Sequence, residues 1–425
     1  MKIIDIKGFD EKIYYDVCDN GLPIYMHVND KVNNFYITLS VRYGSVDTEF
    51  CVKGDKKYVK VPDGIAHFLE HVNFNEGDNE TAHDYFNNLG SSINAFTTFD
   101  YTCYEVFASN EFEKNLTHLL DYVQKPYFTD KLISKEKGII CEEVKMGKNN
   151  PAHELYYKSN EALLKNDKRK YLVTGEIKDV KETTTKQLEM VYNHFYCPSN
   201  MVLVITGNFK PEQAVAIVKE NQAGKNIKNY EMDVKNLKEP LSVNQDYVEI
   251  KANVEIPKLK ISYKLSKKDF GKMDPRELMI YLNVIIRNNF GSTSEIREDL
   301  LEQELVTSLS FGCDIFKDLI TIKIVAESKY PKEVIKILKD KMNNLVLTEE
   351  DINRRKRANI AAIIDEYDDI ESVNLLVQEQ IIKDNELNTK LFEIINGLNM
   401  KKAKMIMGKM NLTHNSTAVL VPNKK

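Results

Sequence analysis

The stretch Gly64-Ile65-Ala66-His67-Phe68-Leu69-Glu70-His71-Val72 decides how the rest of the chain is read. Ile65, Phe68, Leu69 and Val72 recur at helical spacing, which predicts a helix with one apolar stripe. At ~100° per residue, His67 and His71 stand about 40° apart around that helix, and Glu70 falls about 60° from His67. All three side chains can face one point. Two converging imidazoles suit zinc, which takes nitrogen ligands at about 2.0–2.1 Å. A neighbouring carboxylate that is not a ligand suits a general base for a water molecule. Read forwards the motif is H-x-x-E-H, the inverse of the zinc-peptidase order H-E-x-x-H. A core helix with two hydrogen-bonded histidines would show the same spacing, so a third ligand has to decide between the two readings.

Zinc on two histidines needs a third protein ligand and one open position. The segment from Ser134 to Val144 offers it. Ser134 is a fair helix cap, and Glu136 and Glu143, two turns apart, share one helix face. Glu142 points about 100° away from Glu143. Glu143 is therefore the expected ligand, and Glu136 a carboxylate that orients a histidine or that ligand. A solvated acidic helix face would look alike on its own.

A chain of 425 residues predicts two or more domains. A net charge of −5 without a basic stripe argues against a nucleic-acid partner. No apolar run approaches the ~18 residues that span a bilayer, and the first residues, Met1 to Lys7, lack an apolar core of signal-peptide length. The six cysteines form no C-x-x-C pair, which fits a reducing compartment. The expectation is a cytoplasmic enzyme that does not enter membranes.

The order of elements repeats. Strands are expected over 13–18, 22–28 and 35–43, then the motif helix, a helix over 81–89, a pair of strands over 92–97 and 101–108, several helices, and a strand over 201–206. After a Lys- and Asn-rich stretch the same order returns. Ala108 with Phe112, Leu116, Leu119 and Leu120 has the apolar spacing of Ala326 with Tyr330, Val334, Ile337 and Leu338, 218 positions on. The predicted fold is α+β in two homologous domains, each an antiparallel sheet with helices packed on one face. Residues 1–221 would form the zinc domain, 222–238 a linker and 239–425 the copy. The copy has no histidine at the position of His67, where Ile285-Ile286-Arg287 lies, so it is expected to be inert.

Together with Gly44-Ser45, Asn94-Ala95-Phe96-Thr97-Thr98-Phe99-Asp100-Tyr101, Ile139-Ile-Cys-Glu-Glu-Val144 and Tyr196-Cys-Pro198, the motif resembles the insulinase/pitrilysin family of inverted-motif zinc peptidases. The resemblance covers nearly the whole chain. It implies a zinc metalloendopeptidase in which His67, His71 and Glu143 bind Zn²⁺, Glu70 is the general base and Glu136 is the family's extra glutamate in the catalytic group. It implies that the edge strand Asn94-Ala95-Phe96-Thr97 holds an extended peptide by strand addition. It also implies paired subunits enclosing a chamber that admits short or unfolded peptides.

The family's arginine and tyrosine, which reach the site from the second half, fall here on Leu301 and Thr307, with Arg297 four residues too early. Neither replacement supplies charge to an oxyanion. The segment from Ser294 to Leu305 instead resembles a bacterial subgroup. Its zinc-bearing member pairs with a homologous partner that carries the arginine and tyrosine, some pairs trimming ribosomally made peptides. A heterodimer is thus expected, with a homodimer as the other possibility. The competing functional readings are a non-catalytic structural or peptide-binding subunit of a processing-peptidase-like complex, and a zinc hydrolase of other substrates.

Overall fold

Two strands bury every residue they contain, Phe35–Val41 and Met201–Gly207. A strand with no exposed side must be covered on both faces of its sheet. The computed structural model, which describes residues 1–78 and 80–423, shows how. The two strands lie side by side in a seven-stranded sheet. Its spatial order is Lys2–Ile6, Glu11–Val17, Pro23–Val28, Met201–Gly207, Phe35–Val41, Thr102–Ala108, Ser92–Thr97. Pro23–Val28 and Met201–Gly207 run parallel, and the other neighbours run antiparallel. Ser92–Thr97 is therefore an edge strand.

The second sheet repeats this plan with five strands: Tyr247–Ala252, Asn415–Pro422, Lys258–Ser266, Leu319–Glu327, Ser308–Phe316. Its parallel pair, Tyr247–Ala252 with Asn415–Pro422, stands where the first sheet has its own. The mixed helix-and-sheet class and the duplication follow the sequence reading.

Compactness in space divides the chain differently from its order. One unit comprises Met1–Val144, Leu172–Asn236 and Ala362–Phe392, and the other Lys145–Tyr171, Leu237–Ala361 and Glu393–Lys425. Each unit thus takes one helix from the other half of the sequence. Helix Pro151–Leu163 packs on the five-stranded sheet, with Leu155 against Ala252, Ala418 and Leu420. Helix Ile370–Asp384 packs on Met201–Gly207 and Phe35–Val41. It covers the sheet face that periodicity alone left bare. The polar stretch after residue 221 is also built in. Gln222 is buried, and Met232–Val234 pairs with Glu49–Val52.

Asn374 fixes the helix Ile370–Asp384 to its sheet. Its side chain is fully buried, donates to the carbonyls of Tyr36 and Val204 at 3.1 Å each, and accepts from Thr38 Oγ1 at 2.6 Å. Replacing it by alanine leaves the Thr38 hydroxyl without its acceptor. We expect Asn374→Ala to cost about 1–3 kcal/mol, read as a lower urea midpoint.

Candidate metal and catalytic site

The motif helix spans Ile65–Asn73, and the packing of its apolar stripe sets its rotation. Ile65, Phe68, Leu69 and Val72 are all buried in the core of the first unit. That leaves His67, Glu70 and His71 on the flank, with His71 the most accessible of the three. The helix starts at Gly64, in the left-handed region at φ 84°. A Cβ there would lie 2.3 Å from the Thr174 carbonyl oxygen, and one on Gly175 would lie 2.3 Å from that of Asp63. Both positions need glycine, because two backbones touch where the helix begins.

The second contributor is helix Asp130–Lys148, anchored by Leu132, Ile133, Ile140 and Val144. It turns Glu136 and Glu143 toward the motif helix. Glu143 Oε1 lies 3.4 Å from His67 Nε2, and Glu143 Oε2 lies 3.3 Å from His71 Nε2. The two imidazole rings are 4.7 Å apart at their centres. Glu136, 5% exposed, sits behind His71, its Oε2 3.5 Å from Nδ1.

Charge-assisted hydrogen bonds run at about 2.7–2.9 Å, shorter than these gaps. Two ligand atoms on a tetrahedral ion at about 2.05 Å stand roughly 3.3–3.4 Å apart. The donor set fits an ion better than it fits direct ion pairs. Among the described residues, His67, His71 and Glu143 form the cluster that could hold a metal. Nδ1 of His67 is buried without a partner among the described residues, and Nε2 is the ring atom that faces Glu143.

The charge balance points the same way. Three carboxylates surround two imidazoles, so the group calls for positive charge. The facing imidazoles of His67 and His71 hold the Glu143 carboxyl far below its ordinary range, outweighing its partial burial. For His71, burial pulls the pKa down, but the facing carboxylates of Glu136 and Glu143 and the charge of Glu70 prevail, pushing it up to about 9.

Glu70 is 8% exposed and accepts a 2.5 Å hydrogen bond from Thr97 Oγ1. Motif spacing did not show this contact, although strand parity carried a hint of it: Ile93, Ala95 and Thr97 share the face that meets the core. The other residues of the strand diverge. Asn94 donates to Glu105 Oε1 at 3.0 Å, and Phe96 stacks edge-on to Tyr101. Behind the motif helix runs a buried polar chain that sequence reasoning also missed, with Asn73 donating to Tyr104 OH at 2.9 Å and Tyr104 3.0 Å from Tyr196 OH. In the other unit Leu301 is exposed, and Thr307 Oγ1 donates to Glu327 at 3.3 Å. Arg297 donates to the Ser292 carbonyl at 3.3 Å.

Two histidines in H-x-x-E-H order with a glutamate from a second helix are the arrangement of the inverted-motif zinc peptidases. Residues 56–175 match the insulinase family, peptidase family M16, and residues 183–359 match the family's inactive domain. The chain is 37% identical over 309 residues to the uncharacterized zinc protease YmfH of Bacillus subtilis (strain 168), a match covering 71% of each protein. Its fold is shared with an M16-like structure from Alicyclobacillus acidocaldarius, at TM-score 0.90, 24% identity and coverage of 97% of this chain and 98% of that one. It is also shared with a protease from Helicobacter pylori, at TM-score 0.82, 18% identity and coverage of 97% and 100%. The chain belongs to the insulinase (M16) peptidase family.

If Glu136 orients His71, its loss weakens metal binding without removing a ligand. We expect Glu136→Gln to lower zinc affinity about 10–100-fold, measured by competition with a chromophoric chelator. Unchanged affinity would show that Glu136 has no part in holding the ligand.

Proposed function

We propose that this chain is a zinc-dependent metalloendopeptidase that cleaves short or unfolded peptides. One observation carries the reading: His67, His71 and Glu143 converge within 4.8 Å of one another, with Glu70 beside them on the same helix. Zinc bound by those three side chains would supply Lewis acidity, acidifying a water and polarising a peptide carbonyl. Glu70 would take the proton from that water and return it to the leaving amine. Glu136 would hold His71 in orientation through Nδ1. The free edge of Ser92–Thr97 would align the substrate by backbone hydrogen bonds, with Asn94 and Ala95 at its centre. Residues 1–221 would be the catalytic repeat and 239–425 its inert copy, joined through 222–238. The six free cysteines, and the absence of any membrane-length apolar helix among the described residues, support a cytoplasmic setting.

Glu70→Gln keeps the shape of the side chain and removes its basicity. We expect it to retain zinc by mass spectrometry and to lose about 10²–10⁴-fold in kcat. Cleavage at the wild-type rate would remove Glu70 from the mechanism.

The catalytic subunit would work in a heterodimer whose homologous partner brings an arginine and a tyrosine, processing a ribosomally made peptide. Support comes from Leu301 and Thr307, which place no charge where those residues are expected. Adding the partner should raise kcat about 10²–10³-fold over the chain alone, the contribution of an oxyanion donor. Equal activity in its absence would instead favour a self-sufficient chain or homodimer. The structural-subunit reading predicts no cleavage and no bound zinc in either case.

A further inference from the structure

We propose that Thr97 is a positioning residue for Glu70: its hydroxyl holds the carboxylate in register with the strand that offers its edge to the peptide. The inference rests on the reading of Glu70 as the general base. The contact itself is an observation. Thr97 Oγ1 donates to Glu70 Oε2 at 2.5 Å, within the range of about 2.5–2.7 Å for a hydroxyl on a carboxylate. Glu70 is buried, so little water competes for the same oxygen.

Proton bookkeeping gives the contact its direction. The nearest other hydroxyl, Thr102 Oγ1, lies 3.4 Å away and donates its own proton to the Tyr43 carbonyl at 3.0 Å. The single proton of Thr97 therefore goes to Glu70.

The backbone around Thr97 is firmly held. Thr97 pairs with Thr102 in the ladder, and the following turn is latched by Thr98. The Thr98 hydroxyl accepts from the Asp100 and Tyr101 amides at 3.2 and 3.0 Å and donates to the Tyr101 carbonyl at 3.0 Å. Thr97 is β-branched, which restricts its χ1. The hydroxyl is thus placed by the sheet, not by the motif helix. One short strand then serves two purposes: its free edge sets where a peptide lies, and its last side chain sets where the base lies. A displacement of about 1 Å between them is enough to cost 10²-fold in rate.

Two substitutions test this in the zinc-loaded chain with its partner. Thr97→Val keeps the branched shape without the hydroxyl, and Thr97→Ser keeps the hydroxyl. We expect Thr97→Val to lower kcat about 10–100-fold, with KM within about twofold of wild type. Thr97→Ser should recover most of that loss. Zinc stoichiometry should be unchanged in both, and affinity for an uncleaved peptide in the Glu70→Gln background should not respond to Thr97→Val. Wild-type kcat in Thr97→Val, a rise in KM alone, or failure of serine to rescue would each overturn the positioning role while leaving Glu70 as the base. Cleavage indifferent to Glu70→Gln would overturn the base and this proposal together.

Discussion

The site exists because two helices with different anchors are forced to present their polar flanks to each other. Neither helix alone holds more than two of the three converging side chains. Apolar stripes fix both rotations: Ile65, Phe68, Leu69 and Val72 on one, Leu132, Ile133, Ile140 and Val144 on the other. Backbone contact between Gly64 and the Thr174-Gly175 loop fixes where the motif helix begins. What remains is a carboxylate 3.3–3.4 Å from two imidazoles, the spacing of ligand atoms that share one tetrahedral ion. The free energy that places the three side chains is hydrophobic burial.

The sheet adds a second constraint, on the Glu70 carboxylate instead of on His67, His71 and Glu143. Glu70 belongs to the motif helix, but the hydroxyl on its carboxylate comes from the edge strand. The His67–His71–Glu143 cluster and the Glu70 carboxylate are therefore held by different neighbours.

Much of this was legible in the sequence. The 3.6-residue spacing around His67 gave the motif helix and the side it turns outward, and the seven-residue step from Glu136 to Glu143 put both carboxylates on one face. The duplication showed in Ala108 to Leu120 against Ala326 to Leu338. The helix Ile370–Asp384 was not legible. It buries Val373, Asn374, Val377, Gln378, Ile381 and Ile382, so its pattern mixes apolar and amide side chains. No proline or glycine separates it from Glu349–Asp368; the break rests on Asp369, whose side chain accepts from the Ser372 amide at 2.7 Å. The Thr97 contact was out of reach for another reason. Alternation along a strand shows which face a side chain occupies, but not which helix residue it meets.

The exchanged helices expose a requirement that periodicity does not encode. A polar strand side chain beneath a covering helix is costly unless it finds a partner. In the first unit the match is made by amides: Asn374 answers Thr38 and two strand carbonyls, and Gln378 accepts from the Cys103 thiol at 3.3 Å. The 218-residue offset carries Asn374 onto Tyr156 in the helix Pro151–Leu163. There the polar strand residues are lysines: Lys260 meets a ring, and Lys323 donates to Asp314 Oδ2 at 2.6 Å. Tyr156 lies 4.5 Å beneath the Lys260 ammonium and 5.8 Å from that of Lys323. Burial, with Lys323 nearby, pushes Lys260 down to about 7, so it sheds charge near neutral pH where an aromatic face cannot replace all of its hydration. The two halves thus place a covering helix at the same point of the repeat over different chemistry, an amide against a hydroxyl and carbonyls in one and a ring against an ammonium in the other.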